Sequence, residues 1–247
     1  MPRKARVKSS TGIYHVMLRG INKQQIFEEQ EDYYKFLDIL KRYKPISKFE
    51  LYAYCLMGNH IHLLIKVTDE PIEQVFKRIG GKFVYWYNVK YQRVGHLFQD
   101  RFKSEPVETN EYFWTVIRYI HQNPVKAGLC KKLEDYPYSS YREYVVGGDL
   151  ADKDFVLLIK NIERFIEFNN LKSSDKCLDI SDPPVRVTDE QAKLIIRKIS
   201  KCDNATEFQA LDEKKKHKCL TKLKENGLSI RQISRLTGIS VGLVRKD

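Results

Sequence analysis

The chain has 247 residues, 42% of them hydrophobic, enough for one large domain or two smaller ones with a buried core. A formal net charge of +12 and a pI near 9.3 favour a polyanionic partner, most simply nucleic acid. No apolar run is long enough to span a bilayer, and the basic N-terminus lacks the apolar stretch of a signal peptide. Five scattered cysteines without a Cys-x-x-Cys argue against a disulfide framework or a cysteine–zinc centre, so a cytoplasmic setting with no membrane partner is expected.

Arg3, Lys4, Arg6 and Lys8 open the chain as a basic arm, either a solvated tail or a phosphate clamp. Ile13–Arg19 suits a first strand, broken by Gly20-Ile21-Asn22. Glu28–Tyr43 repeats Tyr33, Phe36, Leu37 and Leu40 at helical spacing, and Pro45 is expected to end that helix. Phe49–Met57 alternates as a strand, and a short Gly58-Asn59 break leads into the next, so the two should pair as an antiparallel hairpin. On the second of these strands His60, His62 and Leu64 face one way and Ile61, Leu63 and Ile65 the other, because side chains two apart share a face. The apolar set can be buried against helices. The two imidazoles stand close enough to hold one metal ion. A lone strand histidine is more often a satisfied polar residue, but two on one face are less often accidental.

Pro71 sits where a second helix would begin, running past Gly80-Gly81 towards Tyr91. Phe76, Ile79, Phe83 and Tyr87 form its expected buried stripe, with Lys77, Arg78 and Lys82 towards water or phosphate. Leu97–Val107 alternates again, placing Phe98, Asp100 and Phe102 on one face and Gln99, Arg101 and Lys103 on a basic one. Asn110 is a good N-cap for a third helix through Trp114, Ile117, Arg118, Tyr119 and Ile120, with Asn123-Pro124 its end or a kink. The order strand, helix, strand, strand, helix, strand is the ferredoxin-like split arrangement, an α+β fold. The third helix is expected on the sheet face that carries the histidines.

Tyr119 and Asn123 are four apart, so they lie one above the other on that helix. Tyrosine is a covalent nucleophile in several enzyme classes, and the amide oxygen of asparagine is a hard ligand suited to Mg2+ or Mn2+. Two imidazoles and one amide oxygen would leave positions open for phosphate and water. Tyr119 also reads as a core aromatic, Asn123 as a helix stop, and His121 and Gln122 compete for the ligand role from other directions on the helix.

His60-Ile61-His62 resembles the His-hydrophobe-His motif of the HUH superfamily of single-strand endonucleases. The run from Tyr119 through Asn123-Pro124-Val125-Lys126-Ala127-Gly128 resembles the tyrosine helix of the REP-associated tyrosine transposases, relatives of the single-tyrosine insertion-sequence transposases. The likeness extends to Tyr14-His15-Val16-Met17-Leu18-Arg19-Gly20 and to Phe98-Gln99-Asp100-Arg101-Phe102-Lys103-Ser104, and covers about Met1 to Tyr144. It implies the HUH transposase fold and a metal-dependent strand transferase acting on single-stranded DNA near a hairpin. His60 and His62 would take the metal, Tyr119 would be the nucleophile, and Asn123 would stand where insertion-sequence relatives typically carry Gln. Such relatives include monomers and homodimers.

Val145–Asp149 reads as a boundary loop, Phe155–Phe168 as an amphipathic helix and Lys172–Pro184 as a linker. The pattern is wholly helical from Val187 onward. Ser229 can cap a helix with Ile233 and Leu236 inward, Gly238 permits a tight turn, and Ser240 caps a second helix carrying Leu243 and Val244. This resembles a helix-turn-helix, with Arg245 and Lys246 at the DNA backbone and Val241 or Gly242 near base edges; a plain helical hairpin would share the pattern. The expected division is a catalytic domain at 1–146, a helix and linker at 147–184, and a helical domain at 185–247. The leading function is cleavage and rejoining of single-stranded DNA through a 5′-phosphotyrosine. The alternative is a non-catalytic DNA- or RNA-binding regulator that keeps the fold; no P-loop is present to drive unwinding.

Overall fold

Three apolar segments build the sheet: β1 (Ile13–Arg19), β2 (Glu50–Met57), whose register shifts between Leu51 and Ala53, and β3 (His60–Lys66). With β4 (Lys103–Pro106) they form one antiparallel sheet in the order β2-β3-β1-β4, the expected ferredoxin-like arrangement. The structure, a computed structural model, describes residues 6–173, 177–178, 189–228 and 230–246. It has two units, residues 1–179 and 180–247.

The two sheet faces bury different partners. Val16, Leu18, Ile61, Leu63 and Ile65 pack against α1 (Gln30–Ser47) and α2 (Ile72–Lys90), meeting Phe36, Leu40, Phe76, Ile79 and Phe83. Ala53, Cys55 and Leu64 face the other way, against Val116, Ile117 and Ile120 of α3 (Asn110–Lys126). Three further helices follow in the first unit: α4 (Tyr141–Val145), α5 (Lys153–Ile159) and α6 (Ile162–Asn170). Val156 and Phe165 complete the second core. The third helix therefore covers the face that carries His60 and His62, as its sequence position suggested.

Several boundaries differ from expectation, each for a local reason. Pro45 lies inside the last turn of α1, where a missing N–H forfeits a single backbone bond; Lys48, at φ 50°, closes the helix instead. Pro124 is likewise inside α3, which ends at Lys126 before Gly128 takes φ +71°. The α3 N-cap is Thr109, whose hydroxyl accepts from the Tyr112 N–H, and Asn110 is the first helical residue. Asn161 caps α6 by accepting from the Arg164 N–H, splitting the expected Phe155–Phe168 helix in two.

The fourth strand is short. Gly20 bridges Phe98 and Met17 pairs with Lys103, so three steps on β1 (17 to 20) face five on the incoming chain (98 to 103). The surplus residues leave the ladder, so the strand expected over Leu97–Val107 is cut to β4. Phe98 and Phe102 both turn to the α1–α2 core, and Arg101 is exposed.

The second unit is helical: α7 (Asp189–Ser200), α8 (Ala205–Gln209), α9 (Glu213–Glu225), α10 (Ile230–Thr237) and α11 (Val241–Lys246). Ala192, Phe208, Leu220, Leu223, Ile233 and Val244 form its core, with Leu236 packed against it. Gly238, at φ +72°, makes the turn between α10 and α11, and a Cβ there would meet the Gln209 side chain at 1.9 Å. Ser240 Oγ accepts from the Leu243 N–H at 3.4 Å. Val244 is buried, whereas Val241, Leu243 and Arg245 are exposed. Arg3, Lys4, Ser229, most of Lys172–Pro184 and the Lys246 side chain lie outside the described residues.

Candidate active site

Antiparallel register sets the rows of side chains that face α3. Residues paired across a ladder project to the same face. One row holds Lys103, Met17, His62 and Cys55; the next holds Arg19, His60 and Met57; a third holds Glu105, His15, Leu64 and Ala53. His60 and His62 are thus neighbours, with ring centroids 5.1 Å apart and planes at 90°. His15 joins them from β1, its ring 5.2 Å from that of His62.

Both histidines of the pair have one ring nitrogen engaged within the protein. Asn59, in the turn before β3, donates through Nδ2 to the Lys23 carbonyl at 3.3 Å, so its Oδ1 faces His60 Nδ1 at 2.6 Å. His60 Nδ1 is then the protonated, donating nitrogen, and Nε2 carries the lone pair. His62 Nδ1 lies 3.0 Å from His15 Nε2, and His62 Nε2 is buried with no hydrogen bond among the described residues. Burial pushes His15 down to about 3. Burial, with His15 and His60 beside it, also holds His62 well below the ordinary histidine value. The His15 and His62 rings are therefore neutral near neutral pH, the state in which imidazole can donate a lone pair.

Helix α3 brings the tyrosine to this cluster. The Tyr119 ring meets His62 edge-on at 5.6 Å and 80°, and His15 at 5.8 Å and 67°. Lys126 Nζ stands 5.6 Å from the Tyr119 ring centroid. Asn123 lies one turn beyond Tyr119 on the same helix face, with its Nδ2 buried and without a hydrogen bond among the described residues. The competing residues point elsewhere. His121 Nδ1 meets Asn169 Oδ1 at 2.8 Å and its Nε2 meets Ser140 Oγ at 2.9 Å. Gln122 Nε2 donates to the Asn169 and Leu171 carbonyls at 2.8 and 2.7 Å. Both residues tie α3 to the α6 segment.

Among the described residues no three His, Cys, Asp or Glu side chains converge on a metal position. A cation here would need a neutral oxygen as its third protein donor. Asn123 can supply one, since an amide with an unsatisfied buried nitrogen presents its oxygen instead after a half-turn of the side chain. Two imidazole nitrogens and one hard oxygen suit a small divalent cation with open positions. The buried His62 Nε2, without a hydrogen bond among the described residues, fits that use better than it fits a packed core.

The basic residues fall into separate places. Lys103 lies in the His62 row, on the short β4. Arg6 stacks over Phe102 at 3.9 Å, donates to the Phe102 carbonyl, and lines a groove with Lys8 and Arg101. Lys77, Arg78 and Lys82 ride on α2, which covers the opposite sheet face, and Arg78 is tied to Glu70 and Ser47. Those three do not join the histidine cluster. Sequence reasoning passed over His15 and Arg19 as site residues. The available signal was the period of β1, which aligns His15, Met17 and Arg19 on one face.

The model of the family described as "Transposase IS200 like" matches residues 8–123. A REP-associated tyrosine transposase of Escherichia coli is 24% identical over 148 residues, spanning 59% of this chain and 85% of that protein. A putative REP-associated tyrosine transposase of Haemophilus influenzae is 29% identical over 109 residues, spanning 39% of this chain and 61% of its own length. A solved REP-associated tyrosine transposase bound to a REP hairpin superposes with a TM-score of 0.51 at 21% identity, covering 62% of this chain and 94% of that one. A shared fold, and a family match that runs from Lys8 to Asn123 and so takes in both histidine strands and the tyrosine helix, make residues 8–123 similar to the IS200-like transposases and to the REP-associated tyrosine transposases.

Proposed function

We propose that the first unit cleaves and rejoins single-stranded DNA near a hairpin through Tyr119, with His60, His62 and Asn123 holding Mg2+ or Mn2+. The observation that carries this reading is the edge contact between the Tyr119 ring and His62 at 5.6 Å, which puts a phenol beside the imidazole pair of its own chain. That placement supports a reaction completed within one protomer. When bound, the cation would polarise a phosphoryl oxygen and offset charge on the phosphate. The Tyr119 hydroxyl gives up its proton to solvent as its oxygen forms a bond to phosphorus in line with the deoxyribose 3′ oxygen, the bond from phosphorus to that oxygen breaks, and the 3′ oxygen takes up a proton from solvent to leave as a hydroxyl. The 5′-phosphotyrosine conserves the phosphodiester bond energy, so attack by a 3′-hydroxyl reverses the step and joins strands. Lys126 beside the Tyr119 ring and Lys103 in the His62 row would steady the phosphate. The hairpin in the solved relative's complex supports a hairpin substrate here. In the second unit, α10 and α11 have the spacing of a helix-turn-helix, and we propose that α11 docks on duplex DNA through Arg245 and its exposed neighbours.

A labelled single-stranded oligonucleotide with a hairpin, incubated with Mg2+ or Mn2+, should yield a covalent protein adduct on a denaturing gel. Tyr119→Phe should give none while binding the oligonucleotide as before, and full chelation should stop adduct formation. Undiminished adduct in the Phe variant would remove Tyr119 from the chemistry. Binding without any adduct in the unaltered protein would leave a regulator that only holds nucleic acid.

A further inference from the structure

Of the three imidazoles on the sheet face, His15 has no role in the proposed chemistry. It is fully buried, its hydrogen bond joins Nε2 to His62 Nδ1 at 3.0 Å, and its Nδ1 has no hydrogen bond among the described residues. A structural histidine normally satisfies both nitrogens, as His121 does between Asn169 and Ser140. His15 instead directs its hydrogen bond to the residue proposed to hold a cation. We infer that His15 is a positioning residue that fixes the His62 tautomer, keeping the proton on Nδ1 and the lone pair on Nε2.

Counting hydrogens separates the two possible arrangements. A neutral imidazole carries one N–H, and the 3.0 Å contact between the two rings needs one donor and one acceptor. If His15 Nε2 donates, His62 accepts at Nδ1, which leaves its own N–H on Nε2 and blocks that nitrogen as a ligand. If His62 Nδ1 donates, His15 Nε2 accepts and His62 Nε2 presents a bare lone pair to the site. Only the second arrangement can serve a cation, and it needs an acceptor where His15 Nε2 stands. Asn59 does the same for His60 through its Oδ1 at 2.6 Å. The two ligand histidines are therefore oriented by different devices, a turn amide for one and a neighbouring-strand imidazole for the other. His15 also backs the Tyr119 ring, so one side chain braces both the ligand and the phenol.

This inference rests on the proposed metal site, and the test separates the two. Mn2+ binding is measured directly by electron paramagnetic resonance or calorimetry, without DNA. The nitrogen-bound proton of His62 is located by 15N–1H spectroscopy of the Mg2+-loaded protein. His15→Gln places an amide oxygen near the Nε2 position and should keep Mn2+ affinity close to that of the unaltered protein. His15→Phe fills the volume without an acceptor and should weaken Mn2+ binding about tenfold or more. In the unaltered protein and the Gln variant, His62 should carry its proton on Nδ1. Equal Mn2+ affinity in the Phe variant, or a His62 proton on Nε2 in the loaded unaltered protein, would overturn the inference. Should the Phe variant fail to fold, the Gln variant and the spectrum of the unaltered protein still decide. Failure of the metal site itself has a different signature: Mn2+ binding that survives His62→Ala unchanged.

Discussion

Three consecutive residues of α3 divide their partners. His121 and Gln122 reach into the α6 segment, whereas Asn123, one turn beyond Tyr119, has a buried Nδ2 with no hydrogen bond among the described residues. This division predicts opposite phenotypes one residue apart. Gln122→Ala removes the donor to two carbonyls and should cost about 1–3 kcal/mol of stability in urea unfolding, with adduct formation per folded molecule retained. Asn123→Ala should leave the unfolding midpoint nearly unchanged and weaken both Mn2+ binding and adduct yield. A reversal of the two results would move the ligand role to Gln122. At this scale the sequence was informative where one element sufficed. Spacing alone put His60 with His62 and Tyr119 with Asn123. It could not put His15 against His62, because that meeting depends on the pairing of β1 with β3, a relation between segments 47 residues apart.

Elements are held in place by contacts their own periodicity does not report. Asp32, in the first turn of α1, has a fully buried side chain yet is ionised by its surroundings. It accepts from the backbone N–H groups of Glu28 and Glu29, from Tyr91 at the end of α2, and from Lys90 at 2.8 Å. Burial alone would raise its pKa; the donors of Lys90, Glu29, Tyr91 and Glu28 outweigh that and hold it below the ordinary 3.8. The folded value lies below the unfolded one, so this carboxylate stabilises the fold fully above the unfolded value, and the contribution is lost as pH falls through the lower folded value. Asp32→Asn should cost about 2 kcal/mol or more at neutral pH, since it leaves Lys90 short of its buried partner. The gap to the unaltered protein should narrow below about pH 3.8, as urea titrations at neutral and acid pH would show. An equal gap at both pH values would mean that Asp32 is not the group that titrates. The helical stripes were readable because burial follows the period: all four stripe residues named for α2 are buried. Helix ends were less so. Proline looked like a stop at 45 and 124, but each helix runs two residues past it, to Ser47 and Lys126, and caps such as Thr109 and Asn161 set where α3 and α6 begin. The surplus residues before β4 were invisible because a bulge is defined by its partner strand.

Over the whole molecule, the excess positive charge is carried on two units with different surfaces. In the first, Arg19 and Lys103 stand in the histidine rows and Lys126 beside the Tyr119 ring; in the second, α11 buries Val244 and leaves Val241, Leu243 and Arg245 outward. The turn between α10 and α11 was legible from Gly238 and Ser240, since the backbone at Gly238 takes φ +72°, a conformation that favours glycine. What that surface holds was not legible, because net charge reports a class of partner and no geometry. If α11 meets duplex DNA while the first unit handles the single strand, the two activities should part under mutation. Arg245→Glu should weaken binding to a plain duplex and lower the slope of log affinity against log salt by roughly 0.9 for each phosphate that the protein no longer neutralises. Adduct formation with a short hairpin oligonucleotide that offers no further duplex should be unchanged, because it calls only on the sheet and α3. Equal loss in both assays would mean that the helical unit contributes to the cleavage site itself. No change in either would reduce α10 and α11 to a helical hairpin, with duplex binding, where present, carried by the first unit alone.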